Sequence, residues 1–333
     1  MADDLSLTSC AVYRYCRLLK TGQKRSGLLL SLVDTEGQRG WGEIAPLPGW
    51  SQETLSEAAR ELKVAILPLL AQKKVQQKRV FSTLTRCYPS LQFGVTSALL
   101  DLIEAKPALP CAVSGLIQGS LATMRDELLA TSFSTVKVKI GAYPLKEARA
   151  LLQLVLAHRR DIKLRIDLNQ KWPVHDALAL ARALPLTAID YYEEPFSLTA
   201  ASSFFPYPLA CDESLRKGGL SFFDRCAHLR ACVVKPTLTG GDAQIRPLAS
   251  FCRKKGVDFI LSSSYESEIG IAHIAKLCQR LQLPLKPMGL DTCRYFHTPL
   301  TTQPLTFEAG KLSSPLDWTL KKEGVHEQFR VSF

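Results

Sequence analysis

The chain has no C-x-x-C pair and no Cys/His cluster at zinc-ligand spacing, which excludes the common structural zinc modules. Its ten cysteines are scattered, and several sit in apolar runs such as Ala231-Cys232-Val233-Val234. Reduced, mostly buried thiols are expected rather than a disulfide framework. The six histidines show no paired spacing, so none is expected to be catalytic. The start, Met1-Ala2-Asp3-Asp4, lacks the basic region and apolar run of a signal peptide. The longest apolar stretches, such as 64–71 with Pro68 inside it, are far shorter than the roughly 20 residues that span a bilayer. A soluble, cytoplasmic protein with no membrane insertion is expected. Internal repeats and low-complexity segments are missing too, which excludes solenoids and propellers.

Acidic residues are in deficit. Lys and Arg number 42 against 31 Asp and Glu, a formal net charge of +11. The basic residues come in short pairs, Lys24-Arg25, Lys73-Lys74, Arg159-Arg160 and Lys254-Lys255, without a long run or an aromatic-rich RNA-binding motif. Nucleic acid is therefore not the expected partner. The positive field suits an anionic small molecule.

What is present is length and alternation. A chain of 333 residues, 46% hydrophobic, accommodates a barrel of roughly 200–250 residues plus a smaller unit, and can bury a large core without disulfides. The first hundred residues read as α+β: a strand over 26–34, a turn at 35–37, an antiparallel partner over 40–43, a helix over 51–70 capped by Ser51 with Glu53 close behind, and a helix over 94–105. From about residue 133 strands and helices alternate. Strands are expected at 136–140, 164–168, 189–193, 209–211, 231–234 and 259–261, and helices at 145–158, 174–183, 242–254 and 269–281. Repeated βα units imply a parallel sheet, open or closed.

The ends of those strands carry the chemistry. In Val136-Lys137-Val138-Lys139-Ile140 the two lysines share one face. Both faces of a parallel barrel are covered, so two inward ammonium groups need partners. The next three strands end in carboxylates: Asp167, sharing a face with Asn169; Glu193-Glu194; and Asp212-Glu213. A closed barrel gathers the carboxyl ends of its strands around one mouth. Carboxylates crowded there repel one another unless a cation neutralises them, and oxygen ligands suit Mg2+. A further lysine, Lys235, ends the next strand, followed by Ser262-Ser263-Ser264, donors suited to a carboxylate, and then Gly289-Leu290-Asp291. Crowded cations lower a lysine's pKa, so one lysine can act as a base. Adjacent residues face opposite ways, so only one of Glu193 and Glu194, and one of Asp212 and Glu213, can point inward. The set points to proton abstraction beside a carboxylate, with the metal stabilising the enediolate; pairing a lysine base with Mg2+ is general to the enolase superfamily.

The motifs K-x-K at Lys137/Lys139, D-x-N at Asp167/Asn169, E-E-P at 193–195, D-E-S at 212–214 and K-P-T-L-T-G at 235–240 stand in the order of the enolase superfamily. The sequence resembles the o-succinylbenzoate synthases in particular. Gly42-Glu43-Ile44-Ala45-Pro46-Leu47-Pro48-Gly49 with Ser51-Gln52-Glu53-Thr54 is similar to their capping-domain loop, 93–102 to the segment leading into the barrel, and 262–264 and 289–292 to their late barrel loops. The likeness covers about residues 26–292.

The resemblance implies an α/β protein: a modified TIM barrel, (β/α)7β, over 106–297, with an α+β N-terminal capping domain over 1–105 and a C-terminal segment, 298–333, returning to the cap. It implies syn elimination of water from 2-succinyl-6-hydroxy-2,4-cyclohexadiene-1-carboxylate, a dicarboxylate, giving o-succinylbenzoate for menaquinone synthesis. Lys139 is implied as the base and Lys235 as an enediolate stabiliser. Asp167, Glu193 and Asp212 are implied as ligands of Mg2+, with Mn2+ as a substitute. Lys137 is implied to add positive charge and help keep Lys139 deprotonated, Arg165, Ser262 and Ser263 to contact substrate, and Asn169 and Glu213 to orient the inner groups. Two other readings compete: an N-acylamino-acid racemase or dipeptide epimerase of the same superfamily, and a non-catalytic binding protein on a retained barrel.

Overall fold

In the computed structural model, residues 4–104, 111–198, 204–218, 226–308, 310–313, 315 and 317–333 are described. Ala105, the expected end of the 94–105 helix, lies outside them.

The N-terminal unit begins with an antiparallel sheet of β1 (Asp4–Leu18), β2 (Lys24–Asp34) and β3 (Arg39–Ile44). β2 and β3 are the expected pair, extended by one or two residues. β1 was not anticipated. It is buried on one stretch of both faces, so no clean alternation marks it. β4 (Lys74–Gln76) joins its far end.

A helix, Pro89–Ile103, lies directly on β3. Gly40 and Gly42 allow this, because a Cβ at either would collide with the Ala98 or Gly94 carbonyl of the helix. The expected 51–70 helix begins later, at Leu55, and runs in three pieces: Leu55–Glu61, a π-helical Leu62–Ile66, and Leu67–Leu70. Thr54, not Ser51, is its cap, and Glu57, not Glu53, closes the capping box. Ser51 instead accepts from Leu47 N–H at 2.8 Å, and buried Glu53 accepts from Ser90 N–H at 3.0 Å. The wider π turn precedes Pro68, which has no N–H to give an α-helical ladder.

After β5 (Cys111–Ala112), seven parallel strands form one curled sheet in sequence order: β6 (Gly115–Ile117), β7 (Thr135–Lys139), β8 (Lys163–Asp167), β9 (Ile189–Glu193), β10 (Leu209–Cys211), β11 (Leu229–Val234) and β12 (Asp258–Leu261). An eighth segment spans the gap. Met288 bridges Val113, and Gly289 bridges Ser262, both parallel. Backbone bonds from Met288 N to Ala112 O (2.7 Å) and Gly289 N to Leu261 O (2.9 Å) tie it to both edges. This is the modified TIM barrel. Helices Leu145–His158 and Val174–Ala183 match expectation to the residue, and Asp242–Lys255 and Glu268–Arg280 lie within one. The three-residue β6 and the helix Leu121–Ala130 were not read from sequence, since so short a strand shows no period.

Two later strands, β13 (Thr306–Glu308) and β14 (Lys311–Ser313), pair with β5, and β15 (Val325–Ser332) pairs antiparallel with β1. None of the ten cysteines, all among the described residues, is in a disulfide, and eight are buried. No helix among the described residues is long and apolar enough to cross a membrane.

Candidate active site

Parallel registry assembles the site. Lys139 on β7 lies beside Asp167 on β8, and Asp167 beside Glu193 on β9. Asp212 follows β10, and Lys235 follows β11. Lys137, Lys139, Asn169 and Lys235 line one pocket at this mouth, together with Ser262 and Ser263, which follow the strand next to that of Lys235.

The buried charges pair closely. Lys137 Nζ stands 2.6 Å from Glu193 Oε1 and 2.9 Å from Asp167 Oδ2, and Lys235 Nζ is paired with Asp212. The three carboxylates are 1–3% exposed. Burial opposes charge on Lys137, but Asp167, Glu193 and Asp212 outweigh it and hold its ammonium well above the usual lysine range. Lys235 is raised in the same way, mainly by Asp212. Each of these two lysines sits on a carboxylate, and that attraction outweighs burial. Burial also opposes charge on Asp167, yet Lys137, Lys139 and Lys235 keep it below the ordinary value. Glu193 is pushed up to about 7, by burial first and then by Asp167 and Asp212 against the pull of Lys137.

The adjacent glutamates do face opposite ways. Glu193 turns to the lysines. Glu194 accepts from the Asp212 and Ser214 N–H groups (2.8 and 2.7 Å), the Ser214 hydroxyl (2.7 Å) and Gln170 Nε2 (2.7 Å). It thereby fixes the turn that presents Asp212. Asn169, Gln170 and Glu194 all have left-handed backbones (φ 46°, 60° and 40°), a local strain that only surrounding structure sustains. Asn169 Nδ2 reaches Glu213 Oε1 at 3.4 Å.

Five candidates do not line the pocket: the buried carboxylates Asp167, Glu193 and Asp212, which pair with its lysines or lie against them, Glu213, which lines a neighbouring cavity with Asn169, and Arg165. Arg165 is 2% exposed, donates to Asp190 (2.8 Å) and to the Pro287 carbonyl (2.6 Å), and stacks on Tyr191 at 4.9 Å. Two residues before Asp167 on the same strand, it shares that residue's face but lies a layer deeper. Ser262 and Ser263 do line the pocket, with hydroxyls 3.3 and 3.0 Å from the Gly289 carbonyl. The acidic 265–268 loop turns its charge away: Glu266 accepts from Thr237 (2.5 Å), and Glu268 from Leu300 N–H (3.2 Å).

Reasoning from the sequence missed several pocket residues: Leu47 and Trp50 from the cap, and Tyr265 and Thr292 from the barrel loops. The Trp50 ring lies 5.7 Å from Lys235 Nζ and 5.6 Å from the Arg216 guanidinium. Only the likeness of the 42–54 stretch to a capping-domain loop pointed there.

Three hard-oxygen donors on adjacent strand ends, buried and neutralised by cations, fit a divalent metal in kind. Glu193 Oε2 has no hydrogen-bond partner, which leaves a donor free for such an ion. The ammonium groups stand between the carboxylates, and no three acidic, His or Cys side chains among the described residues are set in ligand geometry.

Known proteins place this architecture. The family described as "Enolase C-terminal domain-like" matches residues 120–317, and the one described as "MenC, N-terminal domain" matches residues 5–102. The chain is 30% identical over 285 residues to o-succinylbenzoate synthase of Haemophilus influenzae, covering 81% of this chain and 83% of that protein. It is 33% identical over 297 residues to o-succinylbenzoate synthase of Citrobacter koseri, covering 85% and 86%. Among solved structures, MenC from Desulfotalea psychrophila superposes with a TM-score of 0.73 at 22% identity, covering 93% of this chain and 100% of that one. The L-Ala-D/L-Glu epimerase of Bacillus subtilis superposes with a TM-score of 0.77 at 16% identity, covering 94% and 99%. At such identities the structures speak for the fold alone. The matched cap, the matched barrel domain and the identity to curated relatives together establish that this chain is an enzyme of the o-succinylbenzoate synthase family, within the enolase superfamily.

Proposed function

We propose that the enzyme eliminates water from 2-succinyl-6-hydroxy-2,4-cyclohexadiene-1-carboxylate, forming o-succinylbenzoate, a step of menaquinone synthesis, in the cytoplasm. The observation that carries this is one pocket lined by Lys139 and Lys235 above the buried carboxylates Asp167, Glu193 and Asp212. Asp167, Glu193 and Asp212 would hold Mg2+, or Mn2+ in its place. Bound there, the ion supplies Lewis-acid stabilisation of charge on the substrate carboxylate.

The residues divide the remaining work. Lys139 Nζ takes the proton α to the carboxylate, and the C–H electron pair moves into the carboxylate as an enediolate. Lys139 then returns that proton to the departing hydroxyl on the same face, and water leaves as the ring becomes aromatic. The Lys235 ammonium stabilises the enediolate from the other face. Lys137 adds positive charge beside the carboxylates. Ser262 and Ser263 receive the polar end of the substrate, and Asn169 and Glu213 orient the inner groups. We leave Arg165 out of the contacts, because its donors are already committed to Asp190 and Pro287. We place the cap at 1–105, the barrel at 106–297 and the returning segment at 298–333; the 105/106 edge lies outside the described residues.

The test is a spectroscopic assay of aromatisation with the cyclohexadiene dicarboxylate, with Mg2+ and with EDTA. Fast, metal-dependent conversion is expected. Conversion no faster than the spontaneous rate, with Mg2+ bound, would replace this reading with the racemase or epimerase one, which two lysines across a pocket also suit. Exchange of a substrate α-proton with deuterated solvent identifies that outcome.

A further inference from the structure

Arg25 stands at the end of β2, far in sequence from every barrel strand, yet it is 2% exposed. Its guanidinium donates almost entirely to main-chain carbonyls. Nη1 reaches the Pro46 carbonyl at 2.6 Å and the Ser26 carbonyl at 3.2 Å, Nη2 pairs with the Ala45 carbonyl, and Nε reaches the Tyr265 carbonyl at 3.0 Å. Ala45 and Pro46 begin the cap loop whose next residues, Leu47 and Trp50, line the pocket. Tyr265 lines the same pocket from the barrel side.

We infer that Arg25 is a positioning residue that clips two walls of the active site together: the cap loop carrying Leu47 and Trp50, and the barrel loop carrying Tyr265. Three features require it. Tyr265 has a left-handed backbone (φ 60°), a conformation a non-glycine residue keeps only when its surroundings hold it. The loop carbonyls at 45 and 46 point inward with Arg25 as their donor, and buried carbonyls need one. Only a planar fork can serve carbonyls on both loops at once; a lysine offers one point of attachment. The Tyr265 hydroxyl meets the Gln118 side chain at 2.8 Å, so the clip also bears on the loop after β6.

The kinetic half of this inference rests on the proposed reaction; the structural half does not. The experiment compares wild type, Arg25→Ala and Arg25→Lys, each checked for a cooperative thermal transition. Backbone hydrogen exchange is measured across the chain, and aromatisation is assayed with and without added guanidinium chloride at low millimolar concentration. In both variants exchange is expected to rise together at 45–50 and 263–267 and to stay unchanged in β7 to β9. Misplaced walls are expected to lower kcat/KM by about 10- to 100-fold, mainly through KM, with partial recovery by guanidinium in Arg25→Ala. Faster exchange in the cap loop alone, or over the whole chain, would overturn the clip. So would wild-type kinetics in Arg25→Lys, which would mean that charge rather than the fork matters. If wild type itself does not aromatise the diene, the proposed reaction fails, and the exchange pattern still decides the clip.

Discussion

At the ends of β7 to β11 every candidate group sits at a strand terminus or within two positions of it, and buried ammonium and carboxylate groups neutralise one another directly. The cap contributes differently. Leu47 and Trp50 bring shape to the pocket, and the charges of the cap that matter, Arg25 and Glu43, touch main chain at the seam. Glu43 is fully buried on β3, pairs with the Tyr15 hydroxyl, and accepts from Ser267 N–H (3.0 Å), the Ser267 hydroxyl (2.5 Å) and Gly270 N–H (3.0 Å). A cap carboxylate thus satisfies the first N–H groups of the barrel helix Glu268–Arg280, whose own cap residue, Ser267, accepts no capping bond from the helix and instead donates its hydroxyl to Glu43. In the proposed reaction the chemistry belongs to the barrel, and the cap supplies a wall of the pocket. Where the chemistry is electrostatic, the strand scaffold holds it; where it is shape, long-range main-chain bonds hold it.

The comparison breaks most visibly at Lys139. Lys139→Ala should lower aromatisation by about a thousandfold or more, while Mg2+ binding measured by calorimetry stays near wild type. Substantial residual dehydration would move the base elsewhere. The next effect is on the metal. Glu194→Gln loosens the Asp212 turn without removing an inner carboxylate, and Mg2+ affinity should fall about 10- to 100-fold; an unchanged affinity would show that Glu194 only supports the fold.

The cap side should answer in stability first. Glu43→Gln leaves the N–H groups of Ser267 and Gly270 with a neutral acceptor. It should cost about 2–3 kcal/mol in urea unfolding, with metal affinity preserved. A fall in metal affinity as large as that of Glu194→Gln would erase the distinction between the two regions.

The smallest expected effect concerns pH. Burial pushes the Asp291 carboxyl up to about 6, although Leu116 N–H and Arg294 stabilise its charge. Its proton is held more tightly in the folded chain, so the contribution is full below about pH 4 and is lost as pH rises through about 6. Asp291→Asn should therefore gain on wild type between pH 4.5 and 7.5, by on the order of 2 kcal/mol. A pH-independent difference in melting temperature would show that the charge is compensated in full.

Legibility in the sequence followed the range of the interactions. Strands β7 to β12 were visible because short β-rich runs end in polar residues at regular spacing, and helices such as Leu145–His158 because an apolar stripe recurs along them. The Thr54–Glu57 box was written in the sequence as plainly as the Ser51 alternative, and only packing chose between them, by drawing Glu53 into the core against Ser90. The resemblance implied Arg165 as a substrate contact, and the sequence could not correct this, because alternation fixes which face a side chain takes but not its depth in the barrel. The raised pKa of Lys137 and Lys235 was unreadable, since it depends on which side chain lies nearest in space.

By itself, then, the sequence determined the alternation of elements, the lysine and carboxylate inventory at the strand ends, and the family. All are local patterns with a period of 2 or 3.6 residues, or motifs in linear order. Only the tertiary structure decided that Glu194 holds the turn carrying Asp212, that Arg165 is committed to Asp190, and that Arg25 joins residues 45 and 265. Those outcomes rest on barrel closure and on contacts between segments up to 240 residues apart, where hydrogen-bond satisfaction of buried groups, not propensity, selects the arrangement.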